Sequence, residues 1–207
     1  MKSYAIIILL MFLIASCKDT NTTSVEQYNT TETATAEVVN KETTAESKPK
    51  NKGTFLCKIN GKDWSYTKAS GVVSRHKKTK KRNAIFTFTK QLDRGKESVQ
   101  LYYDGDTYEL EAASITLKFP KKDGGKMDFF YQLFPDTRKR NPESDLSGTI
   151  DLSNPTSASG NAEVSKLNIR FEKEKLEDIG NSVITLTDIT FSDIGYSDAE
   201  NLFGSKK

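Results

Sequence analysis

The stretch Phe55-Leu56-Cys57-Lys58-Ile59-Asn60-Gly61-Lys62-Asp63-Trp64-Ser65-Tyr66 sets the fold class. Phe55, Cys57 and Ile59 alternate with Leu56 and Lys58, the period of a strand whose two faces differ. Asn60-Gly61 follows. Both residues tolerate positive φ, and a two-residue turn of that kind matches the twist of paired strands. Trp64 and Tyr66 then alternate with Ser65 on a return strand. Cys57 shares the face of Phe55 and Ile59, so it reads as a buried, unreactive thiol.

Downstream the same period recurs. Val72-Val73 opens a third strand, Ile85 to Thr89 a fourth, and Val99, Leu101 and Tyr103 a fifth that stops at Asp104-Gly105-Asp106. Between Thr107 and Phe119 the apolar parity changes: Tyr108, Leu110 and Ala112 share one face, and Ile115, Leu117 and Phe119 the other. A bulge near Ala113-Ser114 would produce that switch. Met127 to Phe134 is apolar on both parities apart from Asp128 and Gln132, which predicts a central strand covered on both sides. Pro135 to Ser147 reads as loop, and Ile150 and Leu152 mark a short strand.

Leu167, Ile169 and Phe171 alternate with Lys166, Asn168 and Arg170, giving one dry and one wet face. Ile184 and Leu186, then Ile189 and Phe191, switch parity at Thr187-Asp188. Ser197-Asp198-Ala199-Glu200 has the pattern of a capping box that starts a helical turn. No segment keeps helical spacing over three turns; Glu172 to Ile179 comes nearest. The expected fold is all-β, a single antiparallel β-sandwich or barrel of about 8–10 strands with no internal repeat.

Upstream the chain is of another kind. From Lys18 to Gly53, Thr, Glu, Asn, Lys, Ser and Ala dominate, Tyr28 is the sole aromatic, and apolar residues are scattered without period. Such a segment cannot bury enough apolar surface to offset the entropy of ordering it. It reads as a disordered tether with a root-mean-square span of roughly 30–35 Å. Before it, Lys2 precedes an unbroken apolar run from Ala5 to Ala15. That run is shorter than the about 20 residues a membrane-crossing helix needs, and it has the length and flanks of a secretory signal.

Leu13-Ile14-Ala15-Ser16-Cys17 resembles the lipobox of bacterial lipoproteins. The resemblance implies cleavage after Ser16, a diacylglycerol thioether on Cys17 and acylation of the new amino terminus. It thereby implies a bacterial cell-envelope protein held to a membrane through Cys17. The chain is expected to divide into a signal peptide (1–16), the lipidated cysteine with a disordered linker (17–53), and an all-β domain (54–207). The opening Phe55 to Trp64 is similar to the first hairpin of many small β-domain lipoproteins, a likeness of ten residues that names no activity.

Charge and cysteine usage narrow the rest. The formal net charge of +3 falls to +2 once Lys2 is removed, too weak a balance to argue for nucleic acid, and a nucleic-acid partner is not expected. Cys17 and Cys57 are the only cysteines, so with Cys17 lipidated no intrachain disulfide is available and the domain must stand on its core. His76 is the single histidine and sits among cations, and no Gly-x-Ser-x-Gly sequence occurs, so no nucleophilic triad is assigned. Cysteine and histidine are too few for a zinc site, Asp104-Gly105-Asp106 lacks the spaced acids of a calcium loop, and no cofactor or metal is expected.

The sharpest local feature is basic. Arg75, Lys77, Lys78, Lys80, Lys81 and Arg82 fall within one eight-residue run, and Arg138-Lys139-Arg140 forms a second cluster. An up-and-down strand order would bring the two to one end of the domain as a positive rim facing polyanions: anionic glycan, lipid or an acidic protein partner. The favoured expectation is a non-catalytic interaction module. The middle of the domain is also rich in aromatics: Phe86, Phe88, Tyr102, Tyr103, Tyr108, Phe119, Phe129, Phe130, Tyr131 and Phe134. They pack a core or, in the alternative, line a barrel pocket for a small apolar ligand or lipid. An enzyme ranks third.

Overall fold

The computed structural model describes residues 53–202. The segments expected to be a signal peptide, a lipidated Cys17 and a tether lie outside the described residues. Eleven strands follow in chain order: β1 (Thr54–Ile59), β2 (Lys62–Tyr66), β3 (Lys68–Arg75), β4 (Arg82–Gln91), β5 (Lys96–Asp104), β6 (Leu110–Pro120), β7 (Lys126–Leu133), β8 (Asp145–Ser147), β9 (Ile150–Asp151), β10 (Ser157–Asn168) and β11 (Val183–Asp198). Two single-turn helices, α1 (Pro135–Arg138) and α2 (Ala199–Leu202), complete the fold, with 3-10 turns at Lys173–Lys175 and Ile179–Ser182. Among the described residues no helix is long and apolar enough to cross a membrane.

All eleven strands join one mixed sheet that does not close into a barrel. Its main path runs β2-β1-β11-β3-β4-β5-β6-β7, and β10 pairs with β11 and with the short β8 and β9. From β3 to β7 each strand is antiparallel to the next, so successive hairpins alternate between two ends. The sixteen residues of β11 bind the halves together. Its first part pairs with β1 and β10, with Lys58 opposite Thr187 and Ala162 opposite Ile189. Its last residues run parallel to β3, with Tyr196 opposite Gly71. That parallel seam is the exception to the expected all-antiparallel order.

The core fills the space enclosed by this bent sheet. Alternate residues of neighbouring strands supply it: Ala84, Phe86 and Phe88; Val99, Leu101 and Tyr103; Phe129, Tyr131 and Leu133. Opposite them lie Val164 and Leu167 of β10 and Ile184, Leu186 and Ile189 of β11, all buried. Phe191 ties the halves, its ring 5.6 Å from Phe86 and 5.1 Å from Phe88, centre to centre. Each buried valine, leucine, isoleucine or phenylalanine among them contributes about 1.5–3 kcal/mol by leaving water. The buried phenols keep partners: Tyr103 donates to the Asn161 carbonyl at 3.0 Å, and Tyr131 donates to that of Asn181.

Several expectations are met at the backbone. Asn60 and Gly61 take φ of 49° and 77° at the first turn. In β11, Asp188 takes φ 59°, and the register gains an extra residue between Leu186 and Ile189, so the parity switch is a bulge. The switch in β6 is a bulge at Glu111, slightly ahead of the expected place, because Tyr102 faces Ala112 while Tyr103 faces Leu110. α2 forms where the capping pattern stands, but the capping side chain is Asp198, which accepts from Glu200 N at 2.9 Å.

Others are corrected. A register shift between Phe55 and Cys57 turns Phe55 outward and buries Leu56 beside Cys57. β7 is not a central strand covered on both faces. It ends the sheet path, with Phe129, Tyr131 and Leu133 buried and Phe130 exposed. Pro135 to Ser147 holds α1 and β8 rather than loop alone. Phe171 does not extend the dry face of β10: the strand stops at Asn168, and Phe171 stands in solvent.

Candidate functional site

The basic run of residues 75–82 forms the β3–β4 hairpin and divides by side-chain environment. Its turn is built from its own backbone: His76 N donates to the Lys81 carbonyl at 2.8 Å, and Lys80 N to that of His76 at 2.9 Å. His76 Nδ1 accepts from Thr79 N at 3.2 Å, so the lone histidine serves as a turn cap.

At the hairpin base the cations are matched by acids from distant parts of the chain. Arg75 donates through Nε to Glu200 at 2.7 Å and through both terminal nitrogens to Asp106 at 3.2 Å. Arg82 reaches Asp198 at 2.8 Å. Lys81 pairs with Glu111 and lies 3.4 Å from Asp104. The hydrogen bond to Glu111 is the chief cause of a Lys81 ammonium held above its ordinary value, and it outweighs the cost of partial burial.

The hairpin tip differs. Lys77, Lys78 and Lys80 are exposed, and among the described residues no carboxylate lies within 4.0 Å of them. Lys80 holds φ 61°, a left-handed conformation fixed by the turn. The tip is therefore an ordered loop with three unmatched cations.

The second cluster divides likewise. Arg138 is paired with Asp145, while Lys139 and Arg140 are exposed and have no such partner among the described residues. Both clusters lie toward one end of the β3–β7 sheet, as the antiparallel order requires. They do not merge into one rim. The β5–β6 turn stands between them and carries Asp104 and Asp106, the acids that meet Lys81 and Arg75. Arg140 instead lines a cleft with Arg170, a residue the sequence marked only as the wet side of a strand.

Asp104-Gly105-Asp106 acts as a turn: Asp104 Oδ1 accepts from Asp106 N at 2.7 Å and Thr107 N at 3.0 Å. Among the described residues no three His, Cys, Asp or Glu side chains are placed to hold a metal ion. Cys57 is buried, and burial pushes its thiol up to about 12, which removes the thiolate a nucleophile needs.

A larger cleft of about 480 Å³ lies at the opposite end of β4 and β5, lined by Trp64, Leu117 and Phe119 with Lys90, Glu97 and Glu177. Its most enclosed carboxylate, Glu97, already accepts from Trp64 Nε1 at 2.9 Å and from Lys118 N at 3.3 Å, and lies 3.6 Å from Lys90. These contacts join strands.

No protein-family model matches the chain, and no curated protein or solved structure is similar enough to it to claim relationship.

Proposed function

We propose that this chain is a bacterial envelope lipoprotein whose β domain is a non-catalytic interaction module for polyanions, contacted through the β3–β4 tip. The lipobox-like Leu13 to Cys17 supports anchoring through Cys17, with residues 18–53 as the tether. One observation carries the choice of partner chemistry. Lys77, Lys78 and Lys80 project unmatched from an ordered turn, while Arg75, Lys81 and Arg82 at its base are each held by carboxylates. Three cations carried on one ordered backbone turn, with no internal partner, attract an anionic polymer, and their reach falls with salt over about 8–10 Å.

The packed interior favours this reading over an apolar-ligand carrier. Of the aromatics that would have lined a barrel pocket, Phe86, Phe88, Tyr103, Phe129 and Tyr131 are packed into the buried core, Tyr102, Phe119 and Phe134 are half-buried, and Tyr108 and Phe130 face solvent. Retention of the mature chain on immobilised heparin tests the polyanion reading. Combined Lys77→Glu, Lys78→Glu and Lys80→Glu should move elution to markedly lower salt, and unchanged elution would refute it. Intact mass of the product from its native host tests the anchor: a lipidated Cys17 at the amino terminus is expected, and a chain still beginning at Met1 is the contrary result.

A further inference from the structure

We infer that the cleft between β7, the α1 loop and the end of β10 binds one acidic sugar unit through Arg140 and Arg170. This deepens the polyanion reading and rests on it for the ligand's chemistry. The cleft encloses about 380 Å³, within the range of small-ligand sites. Two stretches of the chain build it: Gln132, Thr137, Arg140 and Asn141 from the first, and Asn168 to Phe171 from the second.

Its chemistry is one-sided. Two guanidinium groups line it, no carboxylate does, and among the described residues neither arginine has an acid within 4.0 Å. Arg75, Arg82 and Arg138, by contrast, each meet a carboxylate. An arginine fork takes carboxylate, sulfate or phosphate oxygens in pairs, which makes it more selective than a lysine point charge.

Arg170 is also held in place before any ligand arrives. Its guanidinium carbon sits 4.8 Å from the centre of the Phe171 ring, and Nη1 donates to Gln132 Oε1. Its backbone N donates to the Phe130 carbonyl at 2.8 Å, so the chain cannot swing away without breaking contact with β7. Preorganisation of this kind lowers the ordering cost of binding. Arg170 covers one side of Phe171, yet the residue is 58% exposed, leaving aromatic surface open beside the cation. A pyranose offers both things such a site can use: an apolar C–H face for the ring and an acid group for the fork. Asn168 also lines the cleft, its Nδ2 3.4 Å from Asn141 Oδ1, and its amide is suited to the hydroxyls.

Titration of the mature chain with a heparin-derived disaccharide, which is both sulfated and uronic, tests this. Saturable binding is expected, with affinity lowered at least about tenfold by Arg140→Gln with Arg170→Gln. Arg170→Lys keeps the charge but loses the fork, and should weaken binding several-fold at an unchanged thermal midpoint. Maltose, a neutral disaccharide, should not bind. Equal affinity of the double variant, equal binding of maltose, or inorganic phosphate binding as tightly as the disaccharide would each overturn the assignment. The tip variant Lys77→Glu, Lys78→Glu, Lys80→Glu separates the two claims. Disaccharide binding kept while long heparin elutes at markedly lower salt supports both. Long heparin retained by the native chain with no disaccharide bound refutes the cleft alone. Disaccharide bound with long heparin unaffected by the tip variant refutes the tip alone.

Discussion

The indole N–H of Trp64 donates to Glu97 Oε2 at 2.9 Å, fastening the β1–β2 hairpin to β5, thirty-three positions away in the chain. Glu97 continues the inward column of Val99, Leu101 and Tyr103, so a carboxylate ends that apolar row. It also takes up Lys118 N, which lies beyond the last paired residues of the β5–β6 ladder, Ser98 and Thr116. Glu97→Ala leaves two donors without an acceptor and should cost about 2–3 kcal/mol, whereas Glu97→Gln keeps one oxygen and should cost about 1 kcal/mol. Urea midpoints measure the difference. Equal losses would assign the cost to packing instead.

Cys57 should behave as a core atom. In the folded chain at pH 8, an alkylating reagent is expected to leave it unmodified, and to label it once urea unfolds the domain. Cys57→Ser buries a hydroxyl and should cost about 1–3 kcal/mol. Labelling of the native chain at the rate of a free thiol would show that the thiol is accessible.

Stability should fall at both ends of the pH scale. Burial acts to raise the Asp104 carboxyl, but the amides of Thr107 and Asp106 and the charge of Lys81 outweigh it and hold it below its usual value. Its contribution is full above the unfolded value of about 3.9 and is lost as pH drops through the folded one. On the alkaline side, burial raises Tyr103 and Tyr131, and Glu111 raises Lys81. Their contributions are full below about 10 and decline as pH rises beyond it. A plateau between about pH 4 and 10 in urea midpoints is expected, with a smaller acid loss in Asp104→Asn. Phenolate absorbance should show Tyr103 and Tyr131 ionising only as the chain unfolds.

Gly71 should tolerate no side chain. It sits on the parallel seam opposite Tyr196, and a Cβ there would lie 2.7 Å from Tyr196 Cβ and against the buried ring of Phe86. Phe86 cannot yield, since it is stacked on Phe191 in the core. Gly71→Ala should cost at least about 2 kcal/mol, read as a lowered thermal midpoint. A neutral substitution would mean that β3 and β11 are not in register there.

What could be read in advance divides by range. The Asn60-Gly61 turn, the β11 bulge and the helical turn after Asp198 are signalled by neighbouring residues, and each stands where its pattern lies. The outward turn of Phe55 depends on a bulge that its own alternation conceals. The parallel seam joins residues more than a hundred positions apart, and no local pattern marks it. The basic run was visible, but its division was not, because Asp198 and Glu200 reach Arg82 and Arg75 from the far end of the chain. Arg170 carried no signal beyond facing water, and only tertiary structure sets it beside Arg140.

Lysine acetylation of the folded protein, read by mass spectrometry with and without bound heparin, tests the central claim most directly. Protection is expected at Lys77, Lys78 and Lys80, with Lys62 and Lys90 beside Trp64 labelled as in the free protein. Protection confined to Lys62 and Lys90, or no protection at the hairpin tip while heparin is bound, would contradict it.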